Sequence, residues 1–430
     1  MSNQSYIKNT ETLTKGDQRR LEAITIVEAG YRAIDTPAII REKVRLDGET
    51  LYFGDKTYHL PDYKNIFVIG FGKISCQAAA TLEQILGGLI KKGTVIGMAD
   101  NLCQIIDTYV GTHPMPSAAN VAASKKILEL SKEVDEDDLV IVVVSGGGSS
   151  LLCPTETEAE QGQRLYQKFL TTGGTIHELN TVRKHISILK GGGLAEALYP
   201  AEVVGLIFCD VPGEQYELVA SGATYRDNST VADAQAIIDR YNLGQFELIE
   251  TTKDNKYFER VTNIPLTSSH TATAAMAKKA EELGFTATVI GNDLTMPMTE
   301  AVDLFTAQAK TGQALVAAGE LSLIVGPKNT GQGGRNTFFA LTMLEKLKAN
   351  QVFVAFASDG YDNTEAAGAL IDSKTKTKAE QLNLNIGEYL KQIDSFNFFR
   401  QTNDLIMTGR IESNVSDLML LLEYPKANEK

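Results

Sequence analysis

LVIVVVSGGGSS, residues 139–150, opens with six aliphatic residues and closes on three glycines set between serines. An aliphatic run of that length is a buried strand, and the glycines end it in a turn where backbone can approach a ligand closely. The chain on either side repeats the theme. A strand is predicted over 65–70 and a helix over 74–86, then a strand over 94–98 and a helix over 118–132. After the 139–144 strand come a helix over 161–170, a basic helix from Asn180, a strand over 203–209 and a helix over 231–241. Beyond residue 250 the expected order is helix 271–283, strand 286–290, helix 299–318, strand 321–325, helix 336–349 and strand 352–357. A helix over 17–33 and an extended stretch near Tyr52 and Tyr58 come before all of this. Short aliphatic runs alternating with longer amphipathic segments imply an α/β protein with mainly parallel sheets covered by helices. The polar stretch Thr251–Asn263 divides the chain into domains 1–255 and 256–430.

Bulk properties narrow the class. The 430 residues are 43% hydrophobic and 22% charged, enough apolar material for two buried sheets. A net charge of −13 excludes a nucleic-acid footprint, which needs a basic surface. Cys76, Cys103, Cys153 and Cys209 are scattered without a CxxC pair, which suits a reducing compartment. The polar Met1–Thr10 stretch lacks the apolar core of a signal peptide, and no aliphatic run nears the roughly 18 residues of a membrane span. The expectation is a cytoplasmic protein without membrane contact.

In an open parallel sheet, ligands gather at the carboxyl ends of strands. Gly70-Phe71-Gly72-Lys73 places a lysine at a helix start after glycines, suited to an anion or simply to a tight turn. Ser145-Gly146-Gly147-Gly148-Ser149-Ser150 offers backbone N–H groups and hydroxyls to a phosphate or carboxylate. Asn180–Gly193 carries Arg183, Lys184, His185 and Lys190; the spacing of Arg183 and Lys190 puts them on one helix face, a ligand grip or a solvated surface. Asp210 and Asp359 each follow a strand, where a carboxylate holds magnesium, accepts a hydroxyl proton, or closes an Asx turn. Arg335-Asn336 follows Gly331-Gln332-Gly333-Gly334 at a helix start, a setting for bidentate grip on an anion. The five histidines form no HxH or HExxH pattern of a metalloenzyme.

Taken in order, these segments resemble the glycerate 2-kinase family whose carboxyl-terminal part is the MOFRL domain. The resemblance runs over residues 20–420 through Gly72-Lys73, Thr112–Pro116, Ser145–Ser150, Asn180–His185, Lys190-Gly191-Gly192, Asp210–Gly213 and Ala220-Ser221-Gly222. It continues through Gly333–Asn336, Ser358-Asp359-Gly360, Asp394-Ser395, Thr408-Gly409 and Asn414-Val415. It implies two Rossmann-like domains with an active-site cleft between them, and phosphorylation of D-glycerate at the 2-hydroxyl by ATP with Mg²⁺. Lys73 and Arg335 are then the leading catalytic residues, with Asp210 or Asp359 as metal ligand or base. The Ser145–Ser150 loop, Asn180, Arg183, Lys190, Asn336 and Asn414 are the expected binding residues. The expected partners are ATP and a small sugar acid; a homodimer is the one macromolecular partner left open. Departures at Glu214-Gln215-Tyr216, Ala223, Met296-Pro297-Met298, Asn363 and Arg410–Ser413 widen the substrate to other short sugar acids. Two rivals remain: an NAD(P)-dependent hydroxypyruvate reductase, which lacks a GxGxxG turn here, and an inactive sugar-acid-binding protein.

Overall fold

A computed structural model describes residues 5–99, 103–211, 213–323, 326 and 330–426. The chain divides into two compact units: Thr36–Val211 with Gln215–Thr267, and Met1–Asp35 with Pro212–Glu214 and Ser268–Lys430. Pro212 lies outside the described residues.

The first unit is built on six parallel strands. In space they run Ile106–Val110, Ile90–Gly97, Asn65–Phe71, Asp138–Ser145, Glu202–Phe208, Val261–Thr267. Numbered by their order in the chain, that is 3-2-1-4-5-6, the doubly wound arrangement whose direction reverses between the first and fourth strands. Every residue of Asp138–Ser145 is buried. Ile141 and Val143 enter one core and Val140, Val142 and Val144 the opposite one, as the period of two requires. Each such side chain contributes roughly 1.5–3 kcal/mol by leaving water. The extended stretch near Tyr52 and Tyr58 is a three-stranded antiparallel sheet, Val44–Asp47, Thr50–Phe53 and Lys56–His59.

The second unit is built on a mixed sheet. Its six strands lie in the order Thr286–Leu294, Gln313–Gly319, Asp417–Glu423, Gln351–Ala357, Gly368–Asp372, Leu405–Ile406. Only the first pair is parallel; Asp417–Glu423 runs antiparallel between two buried strands. The helix expected to reach Ala318 ends at Gln308, and the next strand is Gln313–Gly319 rather than 321–325. Gly312, at φ +78°, breaks the helical pattern, and the small residues Ala314, Ala317 and Ala318 fit the crowded sheet centre. Ser322 forms only an isolated bridge to Pro297, and Ile324 and Val325 lie outside the described residues.

The helix Gln18–Ala33, capped by the Asp17 carboxylate, packs in this second unit although it opens the chain. Ala23, Val27 and Tyr31 share a core with Met276, Val316, Val354 and Leu420. Arg20 binds Asp372 through two nitrogens at 2.6 and 2.8 Å and reaches Asp404 at 2.7 Å, all three side chains buried. The four cysteines are free, and among the described residues no helix is long and apolar enough to cross a membrane. Replacing Arg20 by Met leaves two buried carboxylates without their guanidinium. The expected loss is about 3–5 kcal/mol of stability, read as a lowered urea midpoint of the cooperative transition.

Candidate active site

The reversal of strand order in the first unit falls between Asn65–Phe71 and Asp138–Ser145, and both predicted turns emerge there. They are bonded to each other: the Lys73 N–H donates to the Gly146 carbonyl at 2.9 Å. Gly72 has φ +127°, and a Cβ on it would lie 2.1 Å from the Ser145 Oγ, so only glycine allows this approach. A Cβ on Gly146 would meet the Asp210 carboxylate at 1.9 Å, which puts Asp210 against the same loop. The Lys73 side chain and the His113 ring flank Gly147. Among the described residues no carboxylate pairs with the Lys73 amino group. The strand-end lysine, the glycine loop and Asp210 are therefore brought together, while Asp359 lies in the other unit.

The three loop serines differ. The Ser145 hydroxyl lies in the core beside Ile74 N and Ser75 Oγ, and the Ser150 hydroxyl turns back to the Gly147 carbonyl at 3.0 Å. Ser149 instead meets the Ser221 hydroxyl at 2.9 Å, and Ser221 donates to Asn180 Oδ1 at 3.0 Å. Asn180 and Arg183 sit on the helix Ile176–His185, begun by a Thr175–Glu178 capping box. Arg183 touches Asn180 Oδ1 at 3.5 Å and pairs with no carboxylate among the described residues. Burial alone pulls its guanidinium down to about 10.

Lys190 is not on that helix face. The helix ends at His185, and the Ser187 hydroxyl accepts the Leu189 and Lys190 N–H groups in the loop that follows. Its amino group is 3% exposed, ion-paired to the equally buried Glu158 and donating to the Leu152 carbonyl. A lysine neutralised in this way has no charge to lend a substrate, so its assignment to a ligand is corrected: it fastens the end of the glycine loop. His185 is structural, bonded to the Ile249 carbonyl and the Ser229 hydroxyl.

In the second unit Arg335 opens the helix Arg335–Lys346. The anion-binding helix start is already filled: the buried Asp362 accepts the N–H groups of Asn336 and Thr337 at 3.0 and 2.8 Å. Arg335 turns to Asp417 at 2.9 Å and to the half-exposed Glu320 at 3.0 Å. Asn336 is committed to Asp362 and Asp417. Asp359 accepts the Tyr361 N–H at 3.1 Å, the Asx-turn alternative, and Asn414 accepts from Ser358 at 3.3 Å. Among the described residues no group of three His, Cys, Asp or Glu side chains is placed to hold a metal ion. Asp362, Asp417, Ser221 and Glu158 were not picked out as site residues. Ser221 stood in a quoted motif, whereas the others pair with residues distant in the chain and left no local signal.

Residues 22–248 match the family described as a domain of unknown function, DUF4147, and residues 313–417 match the MOFRL family. The chain is 31% identical to the D-glycerate 2-kinase of Thermotoga maritima, over 83% of this chain and 90% of that one. The chain belongs to the glycerate 2-kinase family. A putative hydroxypyruvate reductase of Agrobacterium vitis, 33% identical over 83% of this chain and 86% of its own, carries the rival name. The crystal structure of glycerate kinase from Thermotoga maritima superposes with a TM-score of 0.81 at 27% identity, covering 94% of this chain and 99% of that one.

In this glycerate 2-kinase family member Asp417 is a strongly perturbed acid. Burial pushes its carboxyl up to about 7, against the opposing pull of Arg335. An unfolded carboxyl titrates near ~3.9, so between the two values the folded chain keeps a proton that the unfolded chain has lost. This group's contribution to stability is therefore full below about pH 4 and falls as pH rises through 7. Urea titrations from pH 4 to 8 should show this decline in the wild type and a flatter profile in Asp417→Asn.

Proposed function

We propose that this protein is a cytoplasmic ATP-dependent kinase that phosphorylates the 2-hydroxyl of D-glycerate or a closely related short sugar acid. The reading rests on one observation: Lys73 and Arg183, two cations without a carboxylate partner among the described residues, stand with the glycine loop in one unit of an acidic chain. Unpartnered cations beside N–H-rich turns are what a nucleotide phosphate and a small carboxylate require.

In the proposed mechanism backbone N–H groups of the glycine loop and the Lys73 amino group hold phosphate oxygens, and Arg183 grips the acid's carboxylate. The glycerate 2-hydroxyl oxygen forms a bond to the γ-phosphorus as the bond to the leaving ADP oxygen breaks. Asp210 takes the hydroxyl proton; its place against Gly146 favours it over Asp359, whose carboxylate is used by its own turn. The family resemblance gives Arg335, held at rest by Asp417 and the half-exposed Glu320, the role of neutralising charge on the transferring group. Magnesium needs only one or two protein carboxylates when it enters with a nucleotide, so a chain without a three-ligand cluster among its described residues suits it. Asp210 or Asp359 would be its ligand, an Asp210 so engaged leaving the proton to solvent, and the ion would add charge neutralisation at the phosphates. The reductase reading has less support, because Gly70-Phe71-Gly72-Lys73 at the strand reversal is not a dinucleotide turn.

Incubation with glycerate and ATP should release ADP, and incubation with glycerate and NAD should leave NADH undetected; the reverse pattern overturns the reading. Lys73→Ala and Arg335→Ala should each lower kcat by about 10²-fold or more while the circular dichroism spectrum is unchanged. Either variant turning over at the wild-type rate removes that residue from the mechanism.

A further inference from the structure

Hydrogen-bond polarity in the first unit can be followed from Asn180 outwards. The Asn180 amide nitrogen donates to the Leu218 carbonyl at 3.3 Å, which fixes its oxygen towards Ser221 and Arg183. That oxygen can only accept, so the single proton of the fully buried Ser221 hydroxyl is spent on it at 3.0 Å. The 2.9 Å contact between Ser221 and Ser149 must then be made by the proton of Ser149. What Ser149 has left is a pair of acceptor sites and no donor.

Ser149 and Arg183 line the same small pocket, with Pro114, Pro116, Ile186 and Gly162 around them. No carboxylate neutralises Arg183 among the described residues, and the one acid on the wall, Glu158, is taken by Lys190. The pocket therefore offers a cation for a carboxylate and, beside it, an oxygen that requires a proton from the ligand.

We infer that Ser149 is a specificity-determining residue that accepts a hydrogen bond from the non-reacting hydroxyl of a dihydroxy acid whose carboxylate is held by Arg183. The inference rests on the kinase reading and refines it: with the 2-hydroxyl as phosphoryl acceptor, the group read by Ser149 is the 3-hydroxyl. A 2-hydroxy acid that lacks a donor at that position leaves the Ser149 lone pairs desolvated and unmatched, which is the costly direction of hydrogen-bond discrimination.

The test is competition against D-glycerate with the wild-type enzyme. 2-Hydroxybutanoate replaces the 3-hydroxyl by a methyl group of similar size, and 3-methoxylactate keeps the oxygen but loses the proton. Each should compete about 10- to 100-fold less well than glycerate. Either analogue competing as well as glycerate overturns the inference, and the second outcome would show that Ser149 donates. In Ser149→Ala the preference for glycerate over both analogues should collapse; a preference retained in the folded variant also overturns it. If that variant fails to fold, the wild-type series decides alone. Calorimetric titration of the three acids without ATP reads the same order independently of turnover. A protein that ranks them so but consumes no ATP fails the kinase reading and keeps this one; a protein that consumes ATP but does not rank them does the opposite.

Discussion

The close approach of two adjacent parallel strands at their carboxyl ends is the constraint on which the first unit's chemistry depends. Lys73 N–H to the Gly146 carbonyl joins the two turns, and the missing side chain at Gly72 lets the Ser145 backbone come within contact. Everything the pocket offers is referred to that junction. It sets where the Lys73 amino group begins, where the loop N–H groups head the short helical turn, and how far Ser149 reaches towards Ser221. Because strand order reverses at this place, no crossover helix covers it, and the sheet edge of the turns stays available to a ligand.

Charge in the two units is handled in opposite ways. In the first, Lys73 and Arg183 have no carboxylate partner among the described residues, and Lys190 is neutralised by Glu158 beneath the loop. In the second, Arg335 is already held by Asp417 and Glu320, and the helix start beside it is closed by Asp362. An unmatched cation favours capture of an anion in the resting state. A matched one must first give up its carboxylates before it can meet another anion.

Much of this was legible in the chain. A six-residue aliphatic run ending in glycines can be little other than a buried strand and its turn, and the 139–150 segment behaves so. The lysine at 73 and the arginine at 335 stand out in the chain because each follows glycines at a predicted helix start, and Arg183 because it lies in a basic run of an acidic chain. What was hidden depends on long-range pairing. Asp417–Glu423 reads as an unremarkable apolar tail, and its antiparallel place between Gln313–Gly319 and Gln351–Ala357 puts it at the centre of the second sheet. Glu158 lies thirty-two residues from the lysine it neutralises, and no local spacing betrays it. The helical reading of 299–318 holds as far as Gln308 and fails at Gly312, whose positive φ turns the chain into the strand Gln313–Gly319.

The helix Gln18–Ala33 is synthesised roughly three to four hundred residues before its core neighbours Val316, Val354 and Leu420. At ~5–20 residues per second, its apolar face waits on the order of tens of seconds for the strands that cover it. The intervening residues from Thr36 to Thr267 make up most of the other unit and can close their sheet during that wait. Folding thus starts in the middle of the chain, and the helix Gln18–Ala33, synthesised well before its core partners, is left open to chaperones or aggregation in the interval.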